Sequence, residues 1–209
     1  DGAPTFHRSA GNGNLSDDNA DLINDINDEN SITYILPAMG GLTIGASFAD
    51  AGKGAAENAD QTVVAAKYAF SSGAVNGSIH YGTNSISGAT AGASSLNSSS
   101  MGIKISSGNI TAIMAKAESD VTSAISTEVT DFGVQYKLNS GLTLSAVATN
   151  VEENIGGESL DVTTIGGKYN IASGLDAYLT YHDYDYQKGL SNETSDDGSS
   201  TSLTIKASF

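Results

Sequence analysis

The chain has 209 residues, enough for one domain with a sizeable core, and a formal net charge of −15 that argues against nucleic acid, whose phosphates attract basic surfaces. It contains no cysteine, which excludes a disulfide framework and any thiolate metal site. No apolar run reaches the length of about 18 residues that a membrane-crossing helix needs.

The chain opens on "DGAPTFHRSAG", which has no signal-peptide pattern. Either such a segment was removed or the chain begins partway through a longer protein. Residues 1–29 are rich in Asn, Asp and Gly, and only Leu22, Ile23 and Ile26 sit at helical spacing. The stretch reads as a long loop.

From Asn30 onward the period is two. "SITYIL" puts Ile32, Tyr34 and Leu36 on one face, and "LTIGASF" puts Leu42, Ile44, Ala46 and Phe48 opposite Thr43, Gly45 and Ser47. The alternation continues through "QTVVAAKYAF", "VNGSIHY", "MGIKIS", "NITAIMA", "DFGVQYKL", "LTLSAVAT", "DVTTIGGKYNI", "LDAYLTYHDY" and "STSLTIKASF", giving about eleven strands. Its weakest phase is at Ile113, an apolar residue on the polar side. Short connections (37–41, 71–74, 107–109, 139–141, 172–174) alternate with long polar ones at about 50–60, 84–99, 119–128, 151–160 and 187–199. Such alternation places all short turns at one end of an up-and-down sheet and all long loops at the other.

Two architectures bury one face of such a sheet. In a soluble sandwich the apolar face is the core; in a transmembrane antiparallel β-barrel it meets lipid and the polar face lines the lumen. Several strands run to about 9–11 residues, the tilted length that crosses a bilayer. Tyr34, Tyr68, Phe70, Tyr136 and Tyr169 precede the short turns on the apolar face. Phe48, Tyr81 and Tyr181 lie toward the long-loop ends of the same face. Two such rings suit two membrane–water interfaces. Five of the eight lysines, Lys67, Lys104, Lys137, Lys168 and Lys206, each stand between two residues of the apolar phase. They are therefore expected to point to the polar face near the short turns, as a band of positive charge inside the wall. The chain closes on "LTIKASF", which alternates to its last residue, Phe209.

"NSITYILPAMGGLTIGASF" and the terminal phenylalanine resemble the general porins of Gram-negative outer membranes, especially the alphaproteobacterial type. The resemblance covers residues 30–209. It implies a sixteen-stranded trimeric barrel of which these strands are the sixth to the sixteenth. Residues 1–29 are then the end of a third long loop folded into the lumen. Five strands would be missing from this sequence, unless "TFHRSA" supplies a further one. In such a channel Asp17, Asp18, Asp21, Asp25, Asp28 and Glu29 form the acidic side of a constriction, and Phe209 is the assembly signal. The basic side of the constriction usually lies on early strands, so Arg8 and the five lysines are partial candidates. The implied partners are the lipid bilayer, lipopolysaccharide, two further copies of the chain and small hydrophilic solutes that diffuse passively. The net charge points to mild cation selectivity.

No cofactor is expected. Calcium could bind the acidic loops, although "DLINDINDEN" lacks the Gly and terminal Glu of an EF-hand loop. Catalytic motifs are absent: there is no GxSxG, HExxH or phosphate loop, and His80 and His182 lie far apart with no motif around them. Two rivals stay open. One is an outer-membrane adhesin or receptor without open conductance. The other is a secreted β-sandwich or calcium-dependent β-solenoid.

Overall fold

Backbone alternation of period two is realised as eleven β-strands in the computed structural model, which describes residues 30–51, 59–87, 96–120, 126–138, 141–189 and 195–207. They are β1 (Asn30–Ile35), β2 (Leu42–Ala51), β3 (Ala59–Ser72), β4 (Val75–Ser87), β5 (Leu96–Ser107), β6 (Ile110–Asp120), β7 (Ser126–Lys137), β8 (Leu142–Glu153), β9 (Ser159–Ala172), β10 (Leu175–Gln187) and β11 (Asp196–Ala207). They form one sheet in sequence order, each strand antiparallel to the next. The five short connections all lie at one end of this meander and the long loops at the other.

The short turns form because small residues tolerate the backbone they need. Between β3 and β4, Ser72 pairs with Val75, leaving a two-residue loop of Gly73 and Ala74. Gly73 has φ +59°, a left-handed conformation that costs an L-residue roughly 1–2 kcal/mol and glycine nothing.

The strands run further toward the long loops than the alternation suggested. β6 extends to Asp120, β8 to Glu153 and β10 to Gln187, so the connections shrink to 52–58, 88–95, 121–125, 154–158 and 188–195. Main-chain pairing is indifferent to side-chain polarity. The ladder therefore continues past the apolar zone into Ser-, Thr-, Asp- and Glu-rich sequence.

Burial is inverted relative to a water-soluble core. Among the described residues, ten polar or charged ones are buried against six hydrophobic ones, while Ile79, Met114, Phe132, Ile165, Leu179 and other large apolar side chains are exposed. The sheet curls so that its inner face is crowded and mostly polar, and its outer face is apolar. A protein in water exposes no contiguous apolar face of this extent. A barrel in lipid shows this arrangement. Among the described residues, no helix is long and apolar enough to cross a membrane; crossing is by strands.

Ile113, the residue out of phase, points inward and is only 2% exposed. It forms a small apolar cluster with Ala115 and Val147 on the inner wall. The reason is Gly133, which pairs with Ile113 on one side and Val147 on the other. A Cβ at Gly133 would lie 2.9 Å from Ile113 Cγ1 and 3.2 Å from Val147 Cγ2. The neighbouring chains fill the space that glycine leaves, so the inner wall is not uniformly polar.

Candidate functional site

The inner face carries the polar chemistry. Strand parity and register place Lys67, Lys104, Lys137, Lys168 and Lys206 there, in the short-turn halves of β3, β5, β7, β9 and β11. Their level depends on the stagger of the sheet. A row of paired residues can be followed from Lys67 through His80, Gly102, Asp131 and Val162 to Gly198. Relative to that row, Lys104 lies two residues nearer its turn (104 against 102), Lys137 six (137 against 131), Lys168 six (168 against 162) and Lys206 eight (206 against 198). Eight residues of rise at about 3.3 Å over eight strand spacings of about 4.8 Å correspond to a tilt of about 35°, within the range of closed barrels. In a barrel tilted by that angle the five lysines stand at nearly one height. In that geometry they form a belt, with Lys137 about two residues nearer its turn, although along any paired row they look scattered.

Among the described residues, one carboxylate faces inward at this level. Asp176 Oδ2 is 3.0 Å from Lys168 Nζ. Its Oδ1 accepts from Asn170 Nδ2 at 3.0 Å, and Tyr178 OH donates to Oδ2 at 3.3 Å. The Lys168 ammonium also lies 5.6 Å from the centroid of the Tyr178 ring. A register shift at Leu175/Asp176 sets the start of β10 against β9 here. Lys206 is the Cα partner of Asp176 on the other side.

Higher on the wall, Asp131 is 1% exposed and accepts a hydrogen bond from Thr149 Oγ1 at 2.5 Å. Sequence reasoning did not single it out, yet the alternation "DFGVQY" contains the signal: Asp131, Gly133 and Gln135 oppose Phe132, Val134 and Tyr136. His182 Nδ1 lies 2.8 Å from Thr164 Oγ1. His80 is buried beside Gly102, where any Cβ would collide with its ring. The two histidines sit on the inner face of β4 and β10 and are not brought together. Among the described residues, no group of three or more His, Asp or Glu side chains is arranged to hold a metal ion.

The outer face is apolar with a charged rim. Tyr34, Phe48, Tyr68, Tyr81, Tyr136, Tyr169 and Tyr181 are all exposed there. Phe70 is half-buried, stacked on Tyr68 with ring centroids 6.3 Å apart and lying over Gly77, where a Cβ would strike its ring. Toward the long loops the outward residues become acidic. Glu118 pairs in register with Glu128, and Glu128 with Glu152. Asp161 pairs with Asp185, and Asp185 with Asp197. Lys116 points outward at this rim and bridges to Glu128 at 2.7 Å. It differs in face from the five belt lysines because β6 places it in phase with Met114 and Ala112. Asp17, Asp18, Asp21, Asp25, Asp28, Glu29, Arg8 and Phe209 lie outside the described residues.

The arrangement is a curved wall, polar and charged inside, apolar outside, with aromatics on the apolar face. It can enclose water and can sit in a bilayer. The sequence matches the family of Gram-negative porins over residues 3–189. No curated protein matches it. Among solved structures it is similar to an anion-selective porin from Comamonas acidovorans, at 14% identity and a TM-score of 0.58, covering 84% of this chain and 57% of that one. A second porin structure aligns at 16% identity and a TM-score of 0.65, covering 87% and 62%. The trimer form of OmpT, an outer membrane protein of Vibrio cholerae, aligns at 14% identity and a TM-score of 0.50, covering 83% and 64%. The chain thus spans about three-fifths of the length of these structures. Fold, inverted burial and sequence match agree: the chain belongs to the Gram-negative porin family, a family of the outer membrane.

Proposed function

We propose that the chain supplies eleven strands of a sixteen-stranded, water-filled outer-membrane channel for passive diffusion of small hydrophilic solutes and ions. The single observation that carries this reading is the inverted burial: a polar inner wall with a lysine belt, behind an apolar outer face. Both edges of the sheet, β1 and β11, lack a further partner strand among the described residues. Hydrocarbon does not tolerate unpaired backbone, so in this reading additional strands close the barrel. The chain does no chemistry on its solutes; width and lining charge select them.

In the same reading residues 1–29 fold into the lumen, and Asp17, Asp18, Asp21, Asp25, Asp28 and Glu29 narrow it as an acidic constriction. These acids favour cations mildly. The outward aromatics anchor the two interfaces, and the outward rim meets lipopolysaccharide. The assembly is a homotrimer, by analogy with the trimer form of OmpT.

The test is insertion of the purified protein into a planar bilayer. Stepwise conductance that needs no ligand supports the channel, and a barrel that inserts without conducting supports the adhesin or receptor. A reversal potential under a potassium chloride gradient then reads selectivity. A value on the anion side removes the cation preference while leaving the channel intact.

A further inference from the structure

Of the nine tyrosines, six stand on the outer face, and the other three, Tyr178, Tyr184 and Tyr186, share the inward phase of β10. Among the described residues, no other strand turns a tyrosine or phenylalanine inward. Outward tyrosines suit the two membrane interfaces. A file of inward ones on a single strand has a different cause. Tyr178 is already engaged: it is 8% exposed, and the Lys168 ammonium lies over its ring. Tyr184 and Tyr186 are half-buried, with half-buried His182 between them and Tyr178. Tyr184 is held at its far end. Its hydroxyl donates to Asp196 Oδ2 at 3.0 Å, and its phenol lies over Gly198, where a Cβ would be 2.8 Å from the hydroxyl oxygen. The strand beside the rings carries hydroxyls: Ser200, Ser202 and Thr204 pair with His182, Thr180 and Tyr178. A cavity of about 460 Å³ lies at the long-loop end of β10 and β11, with Tyr184, Tyr186, Asp196 and Gly198 among its walls. Small-molecule pockets run from about 300 to 1,000 Å³.

From this file of rings we infer that the lumen carries a binding site for a neutral sugar at its long-loop mouth, formed by Tyr184, Tyr186 and Asp196. The inference rests on the channel reading above. A pyranose presents a rigid face of C–H groups and a rim of hydroxyls. The face packs on an aromatic ring, and the rim takes hydrogen bonds at the ring's edge. Tyr184 and Tyr186 are two positions apart on one strand, about 6.6 Å, so they form a strip along the wall. Asp196 accepts from Tyr184 through Oδ2, and a carboxylate has about four acceptor positions, so sugar hydroxyls can share it. That bond also fixes Tyr184 before binding, which lowers the ordering cost. A strip differs from the cage of rings that encloses an organic ammonium, so the geometry favours a flat sugar ring over a cation. Asp183, Asp185 and Asp197 also line the cavity and disfavour acidic sugars. A further strand paired to the open edge of β11 extends the wall sideways without covering its inner face. Long loops face the exterior in outer-membrane barrels, so the site stands where solutes enter the channel.

The experiment is potassium chloride conductance of the intact protein in a planar bilayer, titrated with glucose and, separately, with mannitol at the same concentrations. Mannitol is hydroxylated and viscous like glucose but has no rigid ring face. Glucose is expected to lower the current saturably, with half of the effect at a concentration on the order of 10 mM, and mannitol only in proportion to viscosity. Tyr184→Leu is expected to weaken the glucose effect about fivefold, whereas Tyr184→Phe, which keeps the ring face, stays within about twofold of wild type. Tyr81→Leu, on the outer face, is expected to leave the titration unchanged. If Tyr184→Leu forms no channels, Asp196→Asn at an exposed strand end serves, with an expected weakening of about threefold. Equal effects of glucose and mannitol on a conducting channel overturn the inference while leaving the channel. So does a glucose effect that survives Tyr184→Leu or Asp196→Asn unchanged, and so does saturable block by tetramethylammonium without any by glucose. Absence of any conductance step overturns the channel reading and this inference with it.

Discussion

Replacing Ile79 by arginine separates a lipid-facing sheet from a water-facing one. Ile79 is on the outer face of β4, 48% exposed, with Tyr68 and Ile103 as its cross-strand partners. It stands five residues from the turn at Ala74 (79 against 74) and eight from the strand's end at Ser87 (87 against 79), near the middle of the apolar zone. At a bilayer midplane an outward arginine costs about 2–4 kcal/mol, falling to about 0–1 kcal/mol near an interface. An exposed isoleucine in water could be exchanged for arginine within about 0.5 kcal/mol, because no cavity forms and no charge is desolvated. Thr62→Arg is the internal control: Thr62 shares the outer face but lies at the rim, beside Asp60 and opposite Ser85. Urea unfolding of the protein in phospholipid vesicles, wild type against each variant, measures both. The expected loss is about 2–4 kcal/mol at Ile79 and no more than about 1 kcal/mol at Thr62. Equal losses of under about 0.5 kcal/mol at both positions would refute the assignment of the outer face to lipid.

Two further outcomes test the inner wall. Gly133→Leu is expected to cost about 1–3 kcal/mol in the same unfolding assay, because Ile113 and Val147 already occupy the space above Gly133; an unchanged midpoint would mean that the wall has room there. Asp176→Asn removes the carboxylate that pairs with Lys168 and takes one negative charge from the inner wall near the lysines. Since the pair is partly exposed, stability should change by no more than about 1 kcal/mol. The reversal potential should move toward anions, and a shift toward cations would contradict the placement of the belt on the lumen.

The sequence alone carried the fold class because a β-strand has a side-chain period of two. Once Tyr68 and Phe70 are assigned to the apolar phase, Lys67 must face the other way, and no tertiary contact can reverse that without a slip in register. The up-and-down order was likewise legible, since short and long connections alternate along the chain and each short turn carries a glycine. The terminal phenylalanine and the acids of residues 1–29 were readable as types, but their positions lie outside the described residues.

Other properties belong to the assembled sheet. Strand ends were underestimated because the hydrogen-bond ladder continues into polar sequence, where hydrophobic alternation gives no signal. Ile113 looked like a fault in the pattern; its cause is Gly133, twenty residues away in sequence (133 against 113) and adjacent only across β6 and β7. Asp131 is a half-hidden case: its parity was visible, but its burial and its bond to Thr149 depend on β8. The lysine belt is the clearest division between the two levels. Local alternation determines that the five side chains point inward. Their heights relative to one another depend on the stagger between strands, a quantity set by how the sheet tilts and coils and encoded in no single stretch of chain.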